Sequence, residues 1–180
     1  RDPVLPEAVT LGRRLAALGL VKSRQRPASG KHIPPVYLRA SLDQRIALLQ
    51  GLMDTDGHIG PRGRCEFTTV LPRLADDVSE LLGTLGIKHT VQQKERRGRL
   101  AYRLSFMIYD DRPIFRLSRK RRLQASRAGR RCTETERRRI VAVEPVPSVP
   151  VRCIQVDSPS RLYLAGRAMI PTHNTEIANN

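Results

Sequence analysis

The chain has 180 residues, room for one or two domains, and 39% of them are hydrophobic, enough for a core although only 4% are aromatic. Its formal net charge of +16 makes nucleic acid the expected partner, and no basic amphipathic helix argues for a membrane surface. No run of about 18 apolar residues occurs, so no membrane-spanning helix is expected. The start, Arg1-Asp2-Pro3, has neither an initiator Met nor a signal-peptide pattern, as a fragment or an excised piece would. Cys65, Cys132 and Cys153 are far apart and fit neither a disulfide framework nor a zinc site, which makes the cytoplasm the default location.

A helix is expected over residues 7–20, with Leu11, Leu15 and Leu18 on one face and Gly19 as its stop. Residues 22–30 are basic and read as a loop. The two prolines at Pro34 and Pro35 argue for an exposed turn over residues 31–38. Ser41-Leu42-Asp43-Gln44 is a capping-box pattern, opening a helix through Met53 with Ile46, Leu49, Leu52 and Met53 apolar. Gly51 inside it is disfavoured by about 1 kcal/mol against Ala, and is accounted for if another helix approaches closely. The helix runs into Asp54-Thr55-Asp56-Gly57. Two acids at a helix carboxyl end oppose its dipole. Either the turn is simply solvated or a divalent ion compensates, and hard oxygen ligands suit magnesium.

Residues 58–63 read as a turn-rich link and residues 64–70 alternate as a strand. A helix over residues 72–85 turns Leu74, Val78, Leu81, Leu82 and Leu85 inward, with Pro72 suited to its first turn. Residues 89–94 and 100–108 read as a hairpin. Gln93, Arg97 and Arg103 are expected on one strand face, either solvated or reading base edges in a major groove. Residues 112–139 are dense in arginine. Arg121 and Arg122 stand there for phosphate neutralisation, and a solvated linker is the plain alternative.

Leu49-Gln-Gly-Leu-Met-Asp-Thr-Asp-Gly57 resembles the LAGLIDADG motif of homing endonucleases, departing from it at Gln50, Met53 and Thr55. The resemblance implies an α+β half-domain that cuts double-stranded DNA. Asp56 would bind the catalytic magnesium with a second Asp from another motif copy, expected upstream. Lys31-His-Ile-Pro34 resembles the family's segment between the two motifs, whose Lys assists catalysis.

Beyond residue 140 the period becomes two: Ile140 to Val143, Ile154 and Val156, then Leu162 and Leu164. Two short strands joined by a turn are expected over residues 151–165, and a third begins near Ala168. The end is Thr172-His173-Asn174-Thr175. An Asn side-chain nitrogen can attack its own backbone carbonyl and break the chain after Asn174. His173 can protonate the departing amine, and the Thr175 hydroxyl can carry an acyl group passed on from Cys153. A surface loop with a chance His-Asn pair is the plain alternative.

The whole stretch resembles the carboxyl-terminal splicing motifs of inteins. Cys153 stands where most inteins have Asp, and Arg161 is nearest to a customary His. With Thr172, this is similar to class 3 inteins, which start splicing from an internal Cys and whose signature also includes a Trp that this chain lacks. The resemblance implies that residues 140–174 add strands to an all-β Hint horseshoe completed by an amino-terminal intein part. Residues 175–180 would begin the downstream host protein. Thr175 would suit the end of a Gly-Lys-Thr phosphate loop in an ATPase such as a replicative helicase or phage terminase. The endonuclease domain is expected over residues 1–118 and a basic linker over 119–139. A non-catalytic DNA-binding protein on a degenerate LAGLIDADG domain, or a general nucleic-acid-coating protein, are the competing readings.

Overall fold

Thr10 opens the first helix, α1 (Leu11–Ala17): its side chain accepts from the Arg13 N–H, and Gly19 closes the turn at φ 70°. The computed structural model describes residues 10–20, 30–96, 98–109, 111–126, 140–150, 152 and 154–173. The chain divides into two compact units, residues 1–129 and 130–180.

The first unit departs from expectation at residues 31–38. Pro35–Leu38 forms a short helix, α2, because Pro34 takes the cap and Pro35 the first turn, where a missing N–H forfeits no bond. Ile33 and Leu38 are buried rather than exposed. The next helix, α3 (Leu42–Thr55), begins where the capping box predicts: Ser41 Oγ accepts from the Gln44 N–H and Gln44 Oε1 from the Ser41 N–H. It runs two residues past Met53.

Four strands follow around one helix. They are β1 (Gly57–Ile59), β2 (Cys65–Thr69), β3 (His89–Arg96) and β4 (Arg99–Phe106), with α4 (Pro72–Thr84) between β2 and β3. The turn-rich link expected over residues 58–63 is thus partly a strand. The sheet order is β1-β2-β4-β3, antiparallel throughout. Alternation puts Ile59, Cys65, Phe67, Leu104 and Phe106 in one core with Leu49 and Met53 of α3 and Ala75, Val78, Leu81 and Leu82 of α4.

The arginine-rich stretch opens as a helix, α5 (Ser118–Ala125), so its first residues are not a solvated linker. Lys120 and Gln124, four apart on one face, are buried. Gln124 accepts from the Ile114 N–H at 3.1 Å and donates to the Arg112 carbonyl at 2.6 Å.

In the second unit, residues 140–150 are exposed and pair in no ladder, with Val141 96% exposed. β5 (Tyr163–Ala165) and β6 (Ile170–Thr172) form an antiparallel hairpin. Gly166 at φ 67° and Met169 at φ 49° flank the connection. The hairpin therefore joins the second and third of the expected strands. Residues 154–156 form no strand among the described residues, since an isolated extended segment has no ladder partner. The fold is mixed α and β with antiparallel sheets. No helix among the described residues is long and apolar enough to cross a membrane.

Candidate active site

Asp56 is the carboxyl cap of α3, and its exposed side chain lies where that helix turns into β1. Lys31 arrives from a segment that α4 holds: the Ile33 N–H donates to Asp77 Oδ2 at 2.8 Å. The two side chains line one open cleft of about 430 Å³, with Phe67, Thr68 and Thr69 of β2, and Val70, Leu71 and Leu74 beyond it. A carboxylate and an ammonium lining one cleft with apolar side chains are the group types that meet a cation and a phosphodiester.

Asp54 does different work from Asp56. Its carboxylate accepts from the N–H groups of Arg116, at 3.0 and 3.2 Å, and of Leu117, at 3.3 Å, fixing the amino end of α5. Arg116 also donates through Nε to Gln50 Oε1 at 2.8 Å, and Gln50 Nε2 donates to the Pro113 carbonyl at 2.6 Å. Part of the compensation expected from a divalent ion at this helix end comes from the protein itself. Lys120 Nζ donates to the carbonyls of Met53, Asp54 and Gly57. Burial lowers the pKa of this ammonium, Arg119 adds in the same direction, and Asp54 and Asp56 oppose. As for a metal, Asp56 offers one hard oxygen donor, while among the described residues no group of three or more His, Cys, Asp or Glu comes together. The chain's residues fit one share of a divalent site.

The sheet's open face corrects the expected DNA-reading set. Gln93 stands opposite Tyr102, and Arg103 stands opposite Gln92 and Thr68. Opposite residues share a face, so Gln93 and Arg103 point to different sides. The register pairs odd positions of β3 with even positions of β4, which numbering alone conceals. Thr68, Gln92, Lys94 and Arg103 share the side away from the core. Arg103 there meets Glu66 at 4.0 Å. Arg121 and Arg122 are exposed on α5.

In the second unit, Thr172 pairs with Tyr163 across the hairpin, and its hydroxyl donates to the Ile170 carbonyl at 3.1 Å. His173 follows β6 directly. Arg97, Cys153, Asn174 and Thr175 lie outside the described residues. Cys65 is buried in the core with its thiol against the Gly63 carbonyl at 3.6 Å, and burial pushes its pKa up to about 12. Sequence reasoning missed Lys120, Asp77 and the Gln50–Arg116 pair. A single Lys in a run of arginines gives no sign that it alone turns inward.

Residues 43–136, just over half of the chain, match the family described as a LAGLIDADG-like domain, and the chain belongs to that family. Its members are usually nucleases and generally use divalent metal ions. A protein of Mycobacterium intracellulare named replicative DNA helicase DnaB is 42% identical over 173 residues, 93% of this chain and 28% of that protein. The protein of the same name from Mycobacterium leprae is 58% identical over 38 residues, 21% of this chain and 6% of that protein. The chain thus spans little more than a quarter of the first relative and far less of the second.

Proposed function

We propose that the chain is the carboxyl-terminal part of a DnaB-embedded intein that carries a LAGLIDADG homing endonuclease. One observation carries this reading: 93% of a chain with a nuclease-family domain matches part of a protein named as a helicase. Insertion of a mobile, self-removing element into a helicase reconciles the two.

In the nuclease, Asp56 supplies one carboxylate to a magnesium ion, with a second from another motif copy. When bound, the ion supplies Lewis-acid stabilisation of charge at the phosphate oxygens. Lys31, in the same cleft, neutralises the phosphate beside Asp56. The open sheet face and the exposed arginines of α5 hold double-stranded DNA.

In splicing of the class 3 kind, the Cys153 thiol attacks the carbonyl of the peptide bond at the upstream junction. That C–N bond breaks, and the amine of the intein's first residue leaves with the thiol's proton as the thioester forms. The acyl group passes to the Thr175 hydroxyl, giving an ester. The Asn174 amide nitrogen closes on its own carbonyl, His173 protonates the departing Thr175 amine, and that amine takes the acyl group to form the peptide bond. Thr172 assists or positions Cys153. Residues 140–174 join the amino-terminal intein part in a Hint horseshoe, and residues 175–180 begin the helicase downstream.

The test is the intact mass of this chain mixed with the amino-terminal part, beside cleavage of linear DNA carrying the uninterrupted helicase coding sequence. Ligation lost in Cys153→Ala and in Asn174→Ala, with cutting lost in Asp56→Asn, is the expected result. Ligation that survives Cys153→Ala would assign the nucleophile to the amino-terminal part. No mass change and no cutting would leave a non-catalytic DNA-binding protein.

A further inference from the structure

Lys120 is a charged residue placed where charge is costly: only 8% of it is exposed. Its ammonium has three donors and no acceptor, and all three are used. They reach the carbonyl oxygens of Met53 at 2.7 Å, Asp54 at 3.0 Å and Gly57 at 2.7 Å. Two of these belong to the last turn of α3, whose carbonyls have no partner within the helix. The third belongs to the residue directly after Asp56, so the ammonium grips the chain on both sides of that carboxylate. The element that delivers it is itself tied to α3 through Asp54, Gln50 and Arg116.

We propose that Lys120 is a positioning residue for Asp56, holding the turn between α3 and β1 so that the Asp56 carboxylate enters the cleft beside Lys31. This rests on the reading of Asp56 as the carboxylate that meets a divalent ion. An apolar side chain of similar length would leave three carbonyls unpaired. Arginine keeps the charge, but its planar fork cannot send three donors from one nitrogen to three carbonyls.

The test is amide hydrogen exchange on the full chain, read by NMR, with Mn²⁺ as the metal probe. The Asp56 N–H, bonded to the Leu52 carbonyl at 3.0 Å, reports the last turn of α3. The Ile87 N–H, bonded to the Leu82 carbonyl at 2.9 Å, reports the core beyond α4. Lys120→Met should lower protection at Asp56 about tenfold or more while Ile87 changes less than about threefold. Lys120→Arg, the comparison should the Met variant fail to fold, should lose protection at Asp56 as well. Aminoethylation of Lys120→Cys, in a chain with Cys132→Ser and Cys153→Ser, rebuilds an ammonium of nearly the same length and should restore it. Half-saturation of Mn²⁺ broadening at the amides of residues 56–58 should need about fivefold more metal in Lys120→Met. Equal loss at Asp56 and Ile87, or protection unchanged, would overturn the proposal. A wild-type chain without Mn²⁺ broadening at Asp56 would remove the metal reading, and exchange alone would then decide the role of Lys120.

Discussion

The Asp77 carboxylate accepts a 2.8 Å hydrogen bond from the backbone N–H of Ile33, joining α4 to a segment 44 residues earlier in the chain. Ile33 is 4% exposed, so its N–H has no ready access to water. Lys31 lies two residues before this anchor, which means that one wall of the cleft is placed by a residue outside it. Asp77→Ala should destabilise the first unit by about 1–3 kcal/mol, the range for losing a charged acceptor from a part-buried donor. Asp77→Asn keeps an acceptor oxygen and should lose less. Urea unfolding of the three proteins orders them, and equal stability of Ala and wild type would dismiss the anchor.

The two glycines of the motif should respond in opposite directions. A Cβ at Gly57 would lie 2.6 Å from the Met53 Cα and carbonyl oxygen, so Gly57→Ala forces backbone apart and should destabilise by about 1–3 kcal/mol. Gly51 has nothing within 4 Å of a Cβ. In this chain Gly51→Ala should therefore stabilise by about 1 kcal/mol, the helix-propensity difference. If a second motif helix packs there, the same change weakens that pairing. Thermal unfolding checks the first pair of signs. Sedimentation of the chain with the amino-terminal part proposed above checks the second.

What could be read in advance was local. The Ser41–Gln44 capping box and Pro72 announce α3 and α4 because those signals act within one turn. α2 escaped because a double proline reads as a breaker, although Pro34 and Pro35 fall at the only helical positions that tolerate it. The faces of Gln93 and Arg103 depend on how β3 and β4 pair, which the turn between them sets. Lys120 and Asp77 act on backbone groups of distant segments, and no spacing in the chain encodes such a partner.

The buried thiol of Cys65 gives a pH signature. Its ordinary value is 9.0 and the fold raises it to about 12. Above about pH 9 the unfolded chain releases this proton while the folded one keeps it. From this group alone stability should then fall with rising pH, by about half of 1.4 kcal/mol per unit near pH 9, close to the full value about a unit higher, and little below about pH 8. The difference between wild type and Cys65→Ala in urea, taken from pH 8 to 10.5, isolates the slope. A flat difference would contradict a buried neutral thiol. In a chain with Cys132→Ser and Cys153→Ser, alkylation of Cys65 should proceed only through unfolding. A thiol reached only in that way would not serve as a rapid redox switch.

The sheet register makes the last prediction. Arg103 shares its face with Gln92 and Thr68, and its ion pair with Glu66 is long and partly solvated, so it adds little to stability. If that face meets DNA, Arg103→Ala should weaken binding about tenfold or more with little change in the unfolding midpoint. Gln92→Ala should follow it in direction, whereas Gln93→Ala, on the opposite side, should leave affinity within about twofold. Arg121→Ala should instead lower affinity for all sequences and reduce the salt slope by about 0.9 for each phosphate it no longer neutralises. Fluorescence anisotropy across a salt series separates the two kinds of effect. A larger effect from Gln93 than from Gln92 would place the DNA on the other side of β3 and remove this face from the interface.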